Sequence, residues 1–169
     1  MPVSYDTHKK VAIIGLEIRV DLIAQYNPKE VSIEKSLTWN QSESKKADLP
    51  DLEFSAAGGR TLSMELLFDG YEGDEDVAEL YVSKLMQLCS VMNPDGLEEH
   101  KRPSMVQLQW PRHDKVPFEG VITSVSVKYT MFSPCGKPVR ATCSIKISEA
   151  KRSFKGEPDR IAPPEWKRW

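Results

Sequence analysis

FEGVITSVSVKYTMF, residues 118–132, is followed by the turn SPCGKP and then by VRATCSIKISE, residues 139–149. In the first segment Val121, Thr123, Val125, Val127, Tyr129 and Met131 share one parity, and Ser124, Ser126, Lys128 and Thr130 share the other. In the second, Val139, Ala141, Cys143, Ile145 and Ile147 alternate with Arg140, Thr142, Ser144, Lys146 and Ser148. A period of two means one buried and one wet sheet face. The Pro- and Gly-bearing link predicts a hairpin. Its parity makes Cys143 a core residue rather than a reactive thiol. The wet face carries Ser124, Ser126, Lys128, Thr142, Ser144 and Lys146; their pattern fits either plain solvent exposure or the lining of a water-filled channel.

The same period extends outward from this hairpin. Over residues 61–69, Leu62, Met64, Leu66 and Phe68 alternate with Thr61, Ser63, Glu65, Leu67 and Asp69, and each of the four is worth roughly 1.5–3 kcal/mol when buried. A short strand over 52–55 leads into Gly58-Gly59, which predicts a sharp reversal before residue 61. Upstream, 30–40 reads as a half-buried strand with Val31, Ile33, Leu37 and Trp39 on one parity and only Lys35 out of place. Asn27-Pro28 separates it from an extended segment over 11–25, and the polar run 41–50 reads as an exposed loop. One helix is predicted over about 74–92, opened by Asp74, Glu75 and Asp76. Its buried stripe is Val77, Leu80, Tyr81, Leu85, Leu88 and Val91. A further strand over 105–110 places Val106, Leu108 and Trp110 on one face.

The chain of 169 residues is long enough for one domain with its own core. We place that domain at 1–149 and read 150–169, with Pro158, Pro163 and Pro164, as a basic tail. Trp166 and Trp169 in it are candidate interface anchors, the alternative being that the tail folds back onto its own domain. Net charge is −2 with both signs dispersed, so no nucleic-acid footprint is expected. The short apolar run 11–15 is interrupted by Glu17 and Arg19, which predicts neither membrane insertion nor a secretory signal. Cys89, Cys135 and Cys143 are irregularly spaced and fit reduced thiols; His8, His100 and His113 lack zinc-site spacing. Phosphate-loop, nucleophile-elbow and zinc-protease motifs are missing from the sequence, so neither catalysis nor a cofactor or metal is expected.

Specific phrases then carry a resemblance. QYNPKEVSIEKS at 25–36 with Trp39, LEF at 52–54, GRTLSMELLFD at 59–69, FEGVI at 118–122, VKYTMF at 127–132 and PVRA at 138–141 occur in this order. Together they resemble the tube-protein domain of contractile injection systems, over about residues 10–149. The resemblance implies a mainly β fold, a tail-tube-like β-barrel or sandwich with one flanking α-helix, assembled into a six-membered ring around a channel. It also implies a structural role as initiator or adaptor at the baseplate-proximal end of the inner tube, joining the spike hub to the tube. Its partners would be copies of itself, inner-tube subunits and spike and hub proteins. Assembly would take place in the bacterial cytoplasm, and the particle would be extracellular if released. Many such adaptors continue into a LysM-like module, and here a short basic tail stands in that place.

Two other readings are carried forward: a repeating inner-tube subunit and, from another class, a carbohydrate-binding β-sandwich. The latter would show exposed aromatics clustered on one sheet face, whereas Trp39 and Trp110 fall on inward parities. For ring formation, the strands over 118–132 and 139–149 are expected to extend sheet pairing between copies, with the six polar residues toward the channel. The loop 41–50 and the tail are expected to make ring-to-ring contacts.

Overall fold

The computed structural model describes residues 10–42, 51–96, 98, 101–110, 118–152 and 160–166. Its strands are β1 (Ala12–Gly15), β2 (Asp21–Ile23), β3 (Val31–Ser42), β4 (Asp51–Asp69), β5 (Val106–Gln109), β6 (Phe118–Phe132) and β7 (Pro138–Glu149). All seven form one antiparallel sheet in the order β2-β1-β5-β6-β7-β4-β3. The chain is therefore mainly β with one short helix. The sheet does not close on itself within the subunit: β2 and β3 stand at opposite ends, and the barrel expected from sequence is an open sheet here.

The predicted hairpin is present, with Lys128 opposite Thr142 and Ser126 opposite Ser144. Its turn needs Gly136, which sits at φ +79°, and Ser133 N–H donates to Lys137 O at 2.8 Å. On the inward face Leu62, Met64, Leu66 and Phe68 of β4 meet Ile147, Ile145, Cys143 and Ala141 of β7 as cross-strand pairs, all buried. Burial pushes the Cys143 thiol up to about 12, so it stays a neutral, packed group.

The helical stretch covers that face. A π-helical turn over Ala78–Val82 runs into α1 (Ser83–Cys89), shorter than the 74–92 span of the sequence pattern. Asp76 opens it by accepting from the Ala78 and Glu79 N–H groups. At the far end Ser90 is extended, at φ −86° and ψ 149°, and the chain leaves the helix there. Val77, Val82, Leu85 and Leu88 are buried, and Tyr81 stacks on Phe68 with ring centroids 4.4 Å apart. Leu80 and Val91, both expected in the stripe, are exposed: Leu80 lies in the wider π turn, and Val91 falls beyond the end of α1 at Cys89.

Two further expectations change. Residues 51–69 form one continuous strand, with no reversal at Gly58-Gly59. The two glycines lie where the β3–β4 register shifts, and a Cβ on Gly59 would come within 2.9 Å of Glu149 O. Their smallness serves close backbone approach rather than a turn. The extended segment over 11–25 splits into β1 and β2, bent so that Gly15 N–H donates to Val20 O.

The C-terminal segment 160–166 lies back on this corner. Ile161 pairs with Ile18, its N–H donates to Glu17 O, and Arg160 donates to Ile18 O and to the Asp21 carboxylate. Glu17, itself buried, accepts a two-pronged Arg102 contact at 2.8 and 2.9 Å.

Candidate assembly surface

Strands β6, β7, β4 and β3 are adjacent, and the face turned away from the core is mostly polar across all four, with Leu67 of β4 and Val121 and Met131 of β6 as its apolar members. The six residues proposed from sequence fall on it as cross-strand pairs: Ser124 with Lys146, Ser126 with Ser144, Lys128 with Thr142. The face continues onto strands the sequence reading had not assigned to it. Ser63 pairs with Lys146 and Glu65 with Ser144 on β4, and Ser32 pairs with Ser63 and Glu34 with Thr61 on β3. The signal was available in the even-odd pattern of 61–69, whose polar parity has to share a side with that of 139–149 once the two strands pair.

A shallow open hollow of about 320 Å³ lies on this face, lined by Glu30, Ser32, Ser63, Glu65, Ser126 and Lys146 among others. Toward one end Arg140 grips Asp69 at 2.6 Å. The Asp69 carboxyl is held below its usual range first by the Tyr71 N–H and then by Arg140. What remains is a hydroxyl-rich surface with charges of both signs, Glu34 and Glu65 against Lys128 and Lys146. Such a wall stays hydrated and holds no strong net potential.

The borders of this four-strand unit are open. β3 is the last strand of the sheet, so its outer side faces no described strand over 12 residues. β6 pairs with β5 only through Phe118, Glu119 and Gly120, and over 121–132 no described strand lies on that side. The expectation that β7 also supplies a border is corrected: β7 is flanked by β6 and β4 along its length, and its backbone groups are used within the subunit. β3 takes that place.

β3 and the first half of β4 project past the packed part of the sheet as an arm. Every described side chain over 32–41 and 51–59 is exposed. On the arm's core-side face Ile33, Leu37, Trp39, Leu52 and Phe54 are each more than half exposed, with Trp39 and Phe54 edge to face at 5.4 Å. Trp39 thus keeps its inward parity but lies beyond the layer that would bury it. At the arm's root an apolar notch of about 310 Å³ is lined by Val31, Ile33, Leu62, Leu108, Trp110 and Phe118, together with Arg60. Arg60 sits over the Phe118 ring and clamps Glu149.

Trp166 is half-buried against the subunit's own core, with part of its surface open; Trp169 lies outside the described residues. Most of the loop 41–50 also lies outside them. No described helix is long and apolar enough to cross a membrane.

A sheet with a polar face, unused borders and an uncovered apolar arm defines a subunit made for assembly with others. The sequence matches the contractile injection system tube protein family over residues 6–156, and the chain belongs to that family. No curated protein matches it. The family is a structural one, and the role of the chain is tube-related.

Proposed function

We propose that the chain closes with five copies of itself into a ring around a channel. The ring sits at the baseplate-proximal end of the inner tube and joins the spike hub to the tube. The observation that carries this is the pair of unused borders. An exposed strand edge is a template for another strand, and natural proteins blunt or cover long ones. Here β3 and β6 leave such edges at opposite sides of one four-strand unit, the arrangement a head-to-tail contact requires.

Pairing β3 of one copy with β6 of the next makes the polar faces continuous. Ser124, Ser126, Lys128, Thr142, Ser144 and Lys146 then line the channel, and hydrated protein cargo moves past them. The same contact covers the apolar arm with a neighbour. The partly open Trp166 is available to the adjoining ring or hub protein, and Trp169 is assigned the same anchoring role from the sequence alone. The placement at the hub end rests on what the family resemblance implies, since members of the family often act as an adaptor or initiator between spike hub and tube.

Trp39 and Phe54 are exposed together on one sheet face, the aromatic cluster that a carbohydrate-binding sandwich was expected to show. Carbohydrate recognition nevertheless fits the arm less well than a protein contact does. Sugar binding lays an aromatic ring flat beside hydrogen-bonding groups, whereas Trp39 meets Phe54 at 72° amid Leu37 and Leu52. An apolar stripe of this kind matches a protein surface.

Averaged images of the assembled particle, with the chain labelled, test the proposal. The expected result is one sixfold ring between hub and tube. Label repeated along the tube would move the chain to the repeating-subunit role, and label at isolated, non-contacting positions would overturn ring formation.

A further inference from the structure

We infer that Glu34 of one copy pairs with Lys128 of the next, and that this pair fixes the register of the joint between β3 and β6. The inference rests on the ring reading above and specifies its contact. In the order β6-β7-β4-β3 every neighbour is antiparallel, so β6 and β3 run in opposite directions. Copies related by rotation about the channel keep their strand senses, and the joint between β3 and the next β6 is therefore antiparallel.

Within one subunit the line across the strands from Glu34 passes through Thr61 and Ser148 to Val121. In a closed sheet the chain at the joint is displaced along the strand by an amount that sets the tilt. Residues 118–120 of β6 are already paired with β5, so the displacement can run only toward higher numbers on β6. It must also be even, counted past the irregularity between Ile122 and Ser124, or the polar and apolar faces would exchange.

With strands about 4.8 Å apart and about 3.4 Å per residue, a shift of two residues over four strands tilts them roughly 20°. Shifts of four, six and eight residues give roughly 35°, 46° and 55°, against about 35–45° for closed barrels. Four and six remain. A shift of four sets Glu34 against Ser126, leaves Lys128 against Ser32, and places Leu37 at the irregular Thr123. A shift of six sets Glu34 against Lys128 and Leu37 against Val125, which is on the core side opposite Ile145.

Glu34 and Lys128 are both exposed, and no ion pair between either and another described residue is seen within the subunit. Directly opposed unlike charges stabilise a strand pair, and unlike the backbone bonds they discriminate one register from the next.

Disulfide trapping in assembled full-length protein reads the register directly, in a Cys135→Ser background. The expected result is a ladder of linked multimers from Ser36→Cys with Ser126→Cys, and little from Ser36→Cys with Ser124→Cys. Glu34→Lys or Lys128→Glu alone should raise the concentration needed for assembly by roughly threefold or more, and the exchanged pair should recover it. Rings that form but cross-link through Ser124→Cys, or charge variants that do not compensate, overturn the register and leave ring formation standing. Loss of rings together with all cross-links, in the unmodified protein as well, overturns both.

Discussion

Arg60 and Glu149 show how one contact can organise a corner. Arg60 lies on β4 where the packed sheet gives way to the arm. Its Nε and Nη2 donate to the Glu149 carboxylate at 2.6–3.1 Å, and its own N–H donates at 3.0 Å. The side-chain bond from Arg60, then its backbone N–H, lowers the Glu149 carboxyl to about 2. A carboxylate whose folded value is depressed stabilises the fold above its unfolded value of roughly 4.3, and that contribution is lost as pH falls toward the folded value. Carbon-detected NMR titration of Glu149 should therefore show a midpoint near 2. Arg60→Ala should return it upward toward the ordinary carboxylate range. A midpoint that stays low in Arg60→Ala would assign the shift to other groups. Because both side chains remain about a third or more exposed, solvent screens the pair, and its effect on stability is modest.

At the scale of elements, the glycines of the long strands mark where backbones approach one another. A Cβ on Gly120 would come 2.0 Å from Ser148 O, a backbone atom that moves only with β7. Gly120→Ala should cost roughly 1–3 kcal/mol, read as a lower denaturation midpoint in urea with unchanged slope. An unchanged midpoint would mean that β6 and β7 separate locally without strain. β7 and the buried parity of β4 were legible in sequence because alternation and burial coincide there: Leu62, Met64, Leu66 and Phe68 are all buried. In β6 the irregularity between Ile122 and Ser124 breaks the alternation, so Val121, read as inward, lies opposite Ser148 on the wet side and Thr123 is exposed. Gly58-Gly59 was not legible as strand, since a paired glycine reads the same in a turn and at a register shift; only the partner strand tells them apart. The six polar residues of β6 and β7 could be placed on one face from parity alone. Which strands flank them could not, because β4 and β3 join through register rather than sequence proximity. For the same reason β7 passed for a border.

At the scale of the whole molecule, the arm sets the conditions under which the subunit exists alone. Leu37, Trp39, Leu52 and Phe54 form an exposed apolar stripe on a two-stranded ribbon, and ribbons without a packed face are only marginally stable in water. Core and arm therefore respond differently to substitution. Replacing Trp39 and Phe54 together by serine removes apolar area that packs against nothing but itself, so the thermal midpoint should change by the equivalent of about 0.5 kcal/mol or less. Assembly should fall sharply, because the same area is what a neighbour would cover. Sedimentation across a concentration series, with the thermal melt of the same sample, separates the two effects. An intact melt with loss of the larger species is the expected result. A melt lowered by several degrees would place the arm inside the cooperative fold of the single subunit, and unchanged assembly would remove the stripe from the contact between copies.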